Sequence, residues 1–87
     1  MPWFVKIEKG IVEKPIFARY VADRKAYVQQ LIAKRHQAPS GYWGCRGGGM
    51  LLFQADSIDQ AQAIVAQEPL VQNGCVSYEL YQWRVVE

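Results

Sequence analysis

The sequence predicts a single α+β domain in the order β-α-β-β-α-β, with a four-stranded antiparallel sheet and both helices on one face. Three observations lead there. Trp3 to Glu8 alternates at the two-residue period of a strand, with Trp3, Val5 and Ile7 on one side and Phe4, Lys6 and Glu8 on the other. Phe17, Tyr20, Val21, Tyr27, Val28, Leu31 and Ile32 recur at the spacing of one helical stripe. Ser57-Ile58-Asp59-Gln60 has the form of a capping box, in which a hydroxyl and a side-chain amide satisfy free amides where a second helix starts.

The elements follow in order. Strand one is Trp3 to Glu8, and helix one follows Gly10 and Pro15 and ends near His36. Gln37 to Cys45 reads as an irregular edge strand, because Pro39 and Gly41 weaken a strand while Tyr42 and Trp43 favour one. Gly47, Gly48 and Gly49 make the connection to strand three, Met50 to Ala55, which is apolar on both faces. Helix two follows Ser57 through Ala61, Ile64 and Val65 and stops before Pro69, since proline pushes its predecessor out of the α region. Gly74 turns the chain into a last strand, Cys75 to Val86, whose faces are Val76, Tyr78 and Leu80 against Tyr81, Trp83 and Val85. Two right-handed crossovers joined by a hairpin give a ferredoxin-like sheet. Its uncovered face is apolar in strands one, three and four, so pairing with a second copy through that face is expected.

Composition bounds the rest. The chain has 87 residues, 51% hydrophobic and 21% charged, with no low-complexity stretch, and reads as one domain from residue 1 to 87. A domain this small buries only about 60% of its unfolded surface, which makes further burial through a partner useful. No apolar run approaches the roughly 20 residues of a bilayer span and no signal peptide is recognisable, so a cytoplasmic location is expected. Cys45 and Cys75 stand far apart without CxxC spacing, which points to reduced thiols rather than a disulfide framework or zinc site; no metal and no cofactor is implied. A net charge of +2, without clustered Lys and Arg, gives no case for nucleic acid or a membrane as partner.

Several segments in order resemble the YCII-related family of dimeric α+β barrels: the Tyr27 to Ile32 helix, Gly41, Ser57 with Ala61, and Glu68-Pro69-Leu70 followed by Gly74. Local physics accounts for the last motif independently, since Pro69 stops a helix, Leu70 tucks under it and Gly74 can take positive φ. The resemblance implies a fold like that of muconolactone isomerase-type barrels. It also implies a pocket between helix and sheet where some members use a His and an Asp, one branch being associated with dehydrochlorination of aromatic rings. Carried over from Tyr27, the histidine position falls on Arg24, with Asp23 as its neighbouring alternative, and the aspartate before proline falls on Glu68. The implied pair is therefore Arg24/Glu68. A guanidinium does not shuttle protons as imidazole does, although it can hold an anion. His36 lies twelve residues on, roughly 18 Å along a helix, and is no substitute. The resemblance also favours Gly where this chain has Arg35.

The candidate ligand-binding residues are thus Arg24, Glu68, Asp23 and Tyr42, for a small anionic or aromatic molecule. Each has a plainer reading. Arg24 and Glu68 make an equally good structural ion pair. Tyr42 and Trp43 fit a core or interface better than a pocket mouth. Arg46 beside three glycines offers an anion grip, yet no helix follows the loop, so a flexible turn fits better. An RNA-recognition module shares this element order, but Gly48 and Met50 stand where its stacking aromatics belong. Binding without catalysis, an isomerase or lyase of the family's kind, and RNA binding are the three readings, in that order; the sequence names neither ligand nor reaction.

Overall fold

A computed structural model describes residues 1–44 and 47–86. The elements are β1 (Trp3–Gly10), α1 (Lys14–Ala18), α2 (Val21–Ala33), β2 (Ser40–Tyr42), β3 (Gly48–Gln54), α3 (Ile58–Ala66), α4 (Pro69–Gln72) and β4 (Val76–Trp83). The strands form one antiparallel sheet in the order β2-β3-β1-β4, the ferredoxin-like arrangement. Phe4, Leu51 and Phe53 on the covered face pack with Leu31 of α2 and with Ala61 and Val65 of α3, and the Phe4 and Phe53 rings stack at 5.9 Å. A smaller cluster of Leu70, Cys75 and Val76 gathers Val12, Phe17 and Tyr20 at the other end.

The first helix differs from its expectation by breaking in two. At Arg19 and Tyr20 the chain tightens to i+3 hydrogen bonds, Arg19 N–H to Ile16 O and Tyr20 N–H to Phe17 O, both 3.2 Å. The break lets Phe17 of α1 and Tyr20, the N-cap of α2, lie on the Leu70 cluster while α2 lays Leu31 on the main core. Ile32 is left exposed, outside the stripe to which its spacing assigned it. The α2 exit is a Schellman turn, with Arg35 N–H on Ile32 O and His36 N–H on Leu31 O. Arg35 sits at its left-handed position with φ 67°, doing with a side chain what glycine does without strain.

The edge strand is shorter than expected. Gln37 takes φ 55° and Pro39 lacks an amide, so pairing begins only at Ser40. Gly49 then lies so close to β2 that a Cβ would run into the Gly41 carbonyl. The Arg46 anion grip and the thiol expected of Cys45 lie outside the described residues.

Ser57 caps α3, its Oγ accepting the Gln60 amide at 3.1 Å, while the Gln60 side chain reaches back to the Asp56 amide rather than to Ser57. Pro69 does more than end a helix. It sits in the first turn of α4, where a proline needs no amide partner, and Glu68 is that helix's N-cap, its Oε2 accepting Val71 N–H at 3.0 Å. Gly74 has φ +66°, and the turn expected there is real.

Candidate functional site

The β1 register decides what faces the helices. Phe4 is fully buried against Phe53, so the two-residue period puts Lys6 and Glu8 on the same covered side. Both are wholly buried, as are Glu68 at the α4 cap and, to 1% exposure, Arg24 in the second turn of α2. Arg24 takes a place on the inward stripe between Tyr20 and Tyr27, where an apolar side chain would otherwise stand. Four charged groups thus meet beneath the helices.

Their geometry is a closed network. Arg24 Nη1 lies 2.8 Å from each oxygen of Glu8, and Nη2 donates to Ser40 Oγ at 3.0 Å. Arg24 Nε stands 3.3 Å from Glu68 Oε1. Lys6 Nζ donates to Glu68 Oε2 at 3.0 Å and lies 3.3 Å from Glu8 Oε1. Two cations and two carboxylates leave no net charge, the condition under which burial of ions is tolerable. Compensation is incomplete in direction: Glu8 Oε1, Arg24 Nε and Glu68 Oε1 face opposite charges without hydrogen-bond alignment. Such misaligned buried groups cost about 1–3 kcal/mol each relative to satisfied ones.

Aromatic residues cover the network. Tyr42 pairs with Gly49, which pairs with Glu8, so its ring lies on the helix side rather than on the open face, 5.6 Å from the Arg24 guanidinium carbon. It also meets Phe17 edge-on, with centroids 6.2 Å apart. Tyr78 of β4 lies 5.5 Å from Lys6 Nζ. Burial pushes the Tyr42 phenol above the ordinary tyrosine range, with Arg24 opposing. Tyr27, which donates to the Ile64 carbonyl, is raised further by burial and then by the Glu68 carboxylate. Burial likewise raises the Cys75 thiol.

A cavity of about 530 Å³ opens beside this cover, lined by Gly10, Val12, Lys14, Phe17, Tyr42 and Trp43 with the neighbouring glycines. The Trp43 indole is fixed there by donating from Nε1 to the Glu8 carbonyl at 2.8 Å. None of the four charged residues lines the cavity; Tyr42 belongs to both.

Of the residues singled out from the sequence, Arg24, Glu68 and Tyr42 come together. Asp23 does not: it is exposed in the first turn of α2 and takes no part in the network. His36 lies beyond the end of α2, its Nδ1 2.8 Å from the Gln54 carbonyl. Lys6 and Glu8 were not singled out, because composition alone favours Trp3, Val5 and Ile7 as the buried side of β1. The signal was Phe4, which shares their side and cannot be buried without them. Among the described residues no group of three His, Cys, Asp or Glu is placed to hold a metal ion, and no helix is long and apolar enough to cross a membrane.

No curated protein matches this sequence. The fold is similar to that of 5-chloro-2-hydroxyhydroquinone dehydrochlorinase (TftG) from Burkholderia phenoliruptrix AC1100, solved in complex with 2,5-dihydroxybenzoquinone. That likeness has a TM-score of 0.77 at 19% identity and covers 94% of this chain and 93% of the other. The model of the YCII-related domain matches residues 18–84, from the end of α1 to just past β4, and the chain therefore belongs to the YCII-related family.

Proposed function

We propose that this protein binds a small anionic or aromatic molecule at the helix/sheet site around Arg24, Glu68 and Tyr42, without rapid turnover. The observation that carries the reading is the closed network. The residues standing where the resemblance puts a His and an Asp are spent on each other, on Lys6 and on Glu8. Glu68 has two cations within 3.3 Å and a backbone amide on the same carboxylate, a poor setting for a general base or acid. The protein is a cytoplasmic homodimer in this reading, paired through the open sheet face, where Ile7, Met50, Tyr81 and Trp83 are exposed. Native mass spectrometry of freshly purified protein tests the binding, with a co-purifying small molecule expected. Only a bare chain, together with no ligand recovered from a metabolite extract, would sink it.

The likeness to TftG favours a second reading, an isomerase or lyase acting on an aromatic ring. Turnover of chlorinated hydroquinones or lactones by the natural chain at rates typical of enzymes, roughly 1–1,000 per second, would establish that reading instead. The network predicts none. Arg24→His restores the implied residue type and is the variant in which acid-base activity is expected to emerge.

A further inference from the structure

We propose that the cleft between the C-terminal ends of α2 and α3 is a second binding site, for a short monocarboxylate with an apolar tail, and that His36 takes up a proton from water as it binds. The cleft has about 280 Å³, at the lower end of the roughly 300–1,000 Å³ of small-molecule sites, so its occupant is small. Its walls are Tyr27, Leu31 and Lys34 of α2, His36 just beyond, and Ile64 and Gln67 at the end of α3. It shares no residue with the buried charge network.

The lining has two ends of different chemistry. Leu31, Ile64 and the Tyr27 ring are apolar, and the Tyr27 hydroxyl, donating to the Ile64 carbonyl, ties the two helices together there. The polar end is Lys34 and His36. His36 is fixed through both backbone and ring: its amide donates to Leu31 O at 2.9 Å, its carbonyl accepts Gln54 N–H at 2.6 Å, and its Nδ1 lies 2.8 Å from the Gln54 carbonyl. A carbonyl only accepts, so Nδ1 carries the hydrogen and Nε2 is the nitrogen left for a ligand.

Charge selects an anion. No carboxylate lines the cleft, and Glu68, although next to Gln67, turns its oxygens to Lys6, Arg24 and the Val71 amide. The carbonyls ending the two helices, which would repel an anion if free, are engaged: Gln30 O by Lys34 N–H, Leu31 O by His36 N–H, and Ile64 O by Gln67 N–H and the Tyr27 hydroxyl. A carboxylate bonds Nε2 only when that nitrogen also carries a hydrogen. Binding therefore draws a proton onto the ring and tightens as pH falls through the range where imidazole changes charge. Around the cleft α2 supplies Lys34 and Tyr27 as the other titratable groups, α3 supplies none, and β3 meets the ring through the Gln54 carbonyl.

Titration of the labelled natural chain with 3-methylbutanoate and with its uncharged amide, followed by two-dimensional NMR, tests this. Saturable shifts are expected at the Leu31, Lys34, His36 and Gln67 amides, with the carboxylate about tenfold tighter than the amide near pH 6 and most of that advantage lost near pH 8. The His36 ring nitrogens of the natural chain, read directly, should turn to the doubly protonated pattern on saturation. Lys34→Gln should weaken the carboxylate about threefold, an exposed ion pair being worth little in water, and should keep the pH dependence. His36→Asn keeps a donor where Nδ1 stood and, shown to be folded by circular dichroism, should remove the pH dependence. Equal affinity for the amide near pH 6, a His36 ring unchanged on saturation, shifts confined to residues outside the cleft, or no saturable binding would each overturn the proposal. Inorganic phosphate binding as tightly as the carboxylate would overturn it too, since the apolar end would then contribute nothing.

Discussion

The two faces of the sheet differ from the usual division of polar and apolar side chains in one strand above all, β1. The face covered by helices buries Lys6 and Glu8 of β1, while the face without helices shows Ile7, Met50, Tyr81 and Trp83, the last two about half exposed at 50% and 47%. Burying a charge is expensive unless it is paired, whereas an apolar surface left open is costly until a partner covers it. The covered face therefore carries a commitment inside the chain, met by Arg24 and Glu68, and the open face carries one that the chain alone does not meet. The proposed binding site and the proposed pairing surface are separated by the thickness of one sheet.

The largest expected effect breaks the covered side. Arg24→Ala leaves two buried carboxylates against one lysine, and unpairing a buried charge costs about 3–5 kcal/mol. Urea denaturation should show a loss of that order, and a change below about 1 kcal/mol would mean that water reaches the network freely. The matching break of the open side is Tyr81→Glu with Trp83→Glu, which should leave the far-UV spectrum intact and halve the mass seen by light scattering at micromolar concentration. An undiminished mass would rule out this face as a pairing surface.

Backbone effects come next. Gly74→Val places a β-branched residue at φ +66°, where nothing crowds the new Cβ, so only conformational strain of about 1–3 kcal/mol is expected. An unchanged melting temperature would show that the turn shifts at no cost. Arg35→Gly is the converse. It relieves a left-handed non-glycine residue at the α2 exit and should stabilise the domain by about 1 kcal/mol.

The smallest effect lies on the alkaline limb. Burial raises the Tyr27 phenol above its unfolded value near 10, so the folded chain keeps the proton that the unfolded chain releases. The contribution is complete below pH 10 and is lost as pH rises above it. Tyr27→Phe should therefore flatten the stability decline above pH 10 while leaving the acid side unchanged. A decline of unchanged slope would assign it to the other tyrosines.

Much of this architecture was legible. Alternation in β1, the Ser57 cap and the Pro69-to-Gly74 turn are local signals, and each sits where its chemistry demands. The split of the first helix was harder to read, because the positions taken as one stripe include Phe17 and Tyr20 of one cluster and Tyr27, Val28 and Leu31 of another. The site was half legible. Arg24 and Glu68 came from resemblance, and Tyr42 from its aromatic ring, but Lys6 and Glu8 required knowing which side of β1 turns inward. That choice depends on partners in β3 and on the helices, which no single strand encodes. Asp23 failed for the opposite reason: one helical step from Arg24 is about 100° of rotation, enough to turn a side chain from the core to solvent.

Glu68 holds the α4 cap and two cations with one carboxylate. This sharing constrains the order in which the sequence can change. After Glu68→Asp, the shorter carboxylate would have to serve the Val71 amide, Lys6 and Arg24 from one methylene farther back, and Arg24→His would leave Glu8 without its guanidinium. The first keeps the charge balance but stretches the geometry, and the second leaves a buried carboxylate short of its partner. Exchanging the pair for imidazole and aspartate therefore also requires Lys6 and Glu8 to be rebalanced, so folding by itself constrains which residues can stand at positions 24 and 68.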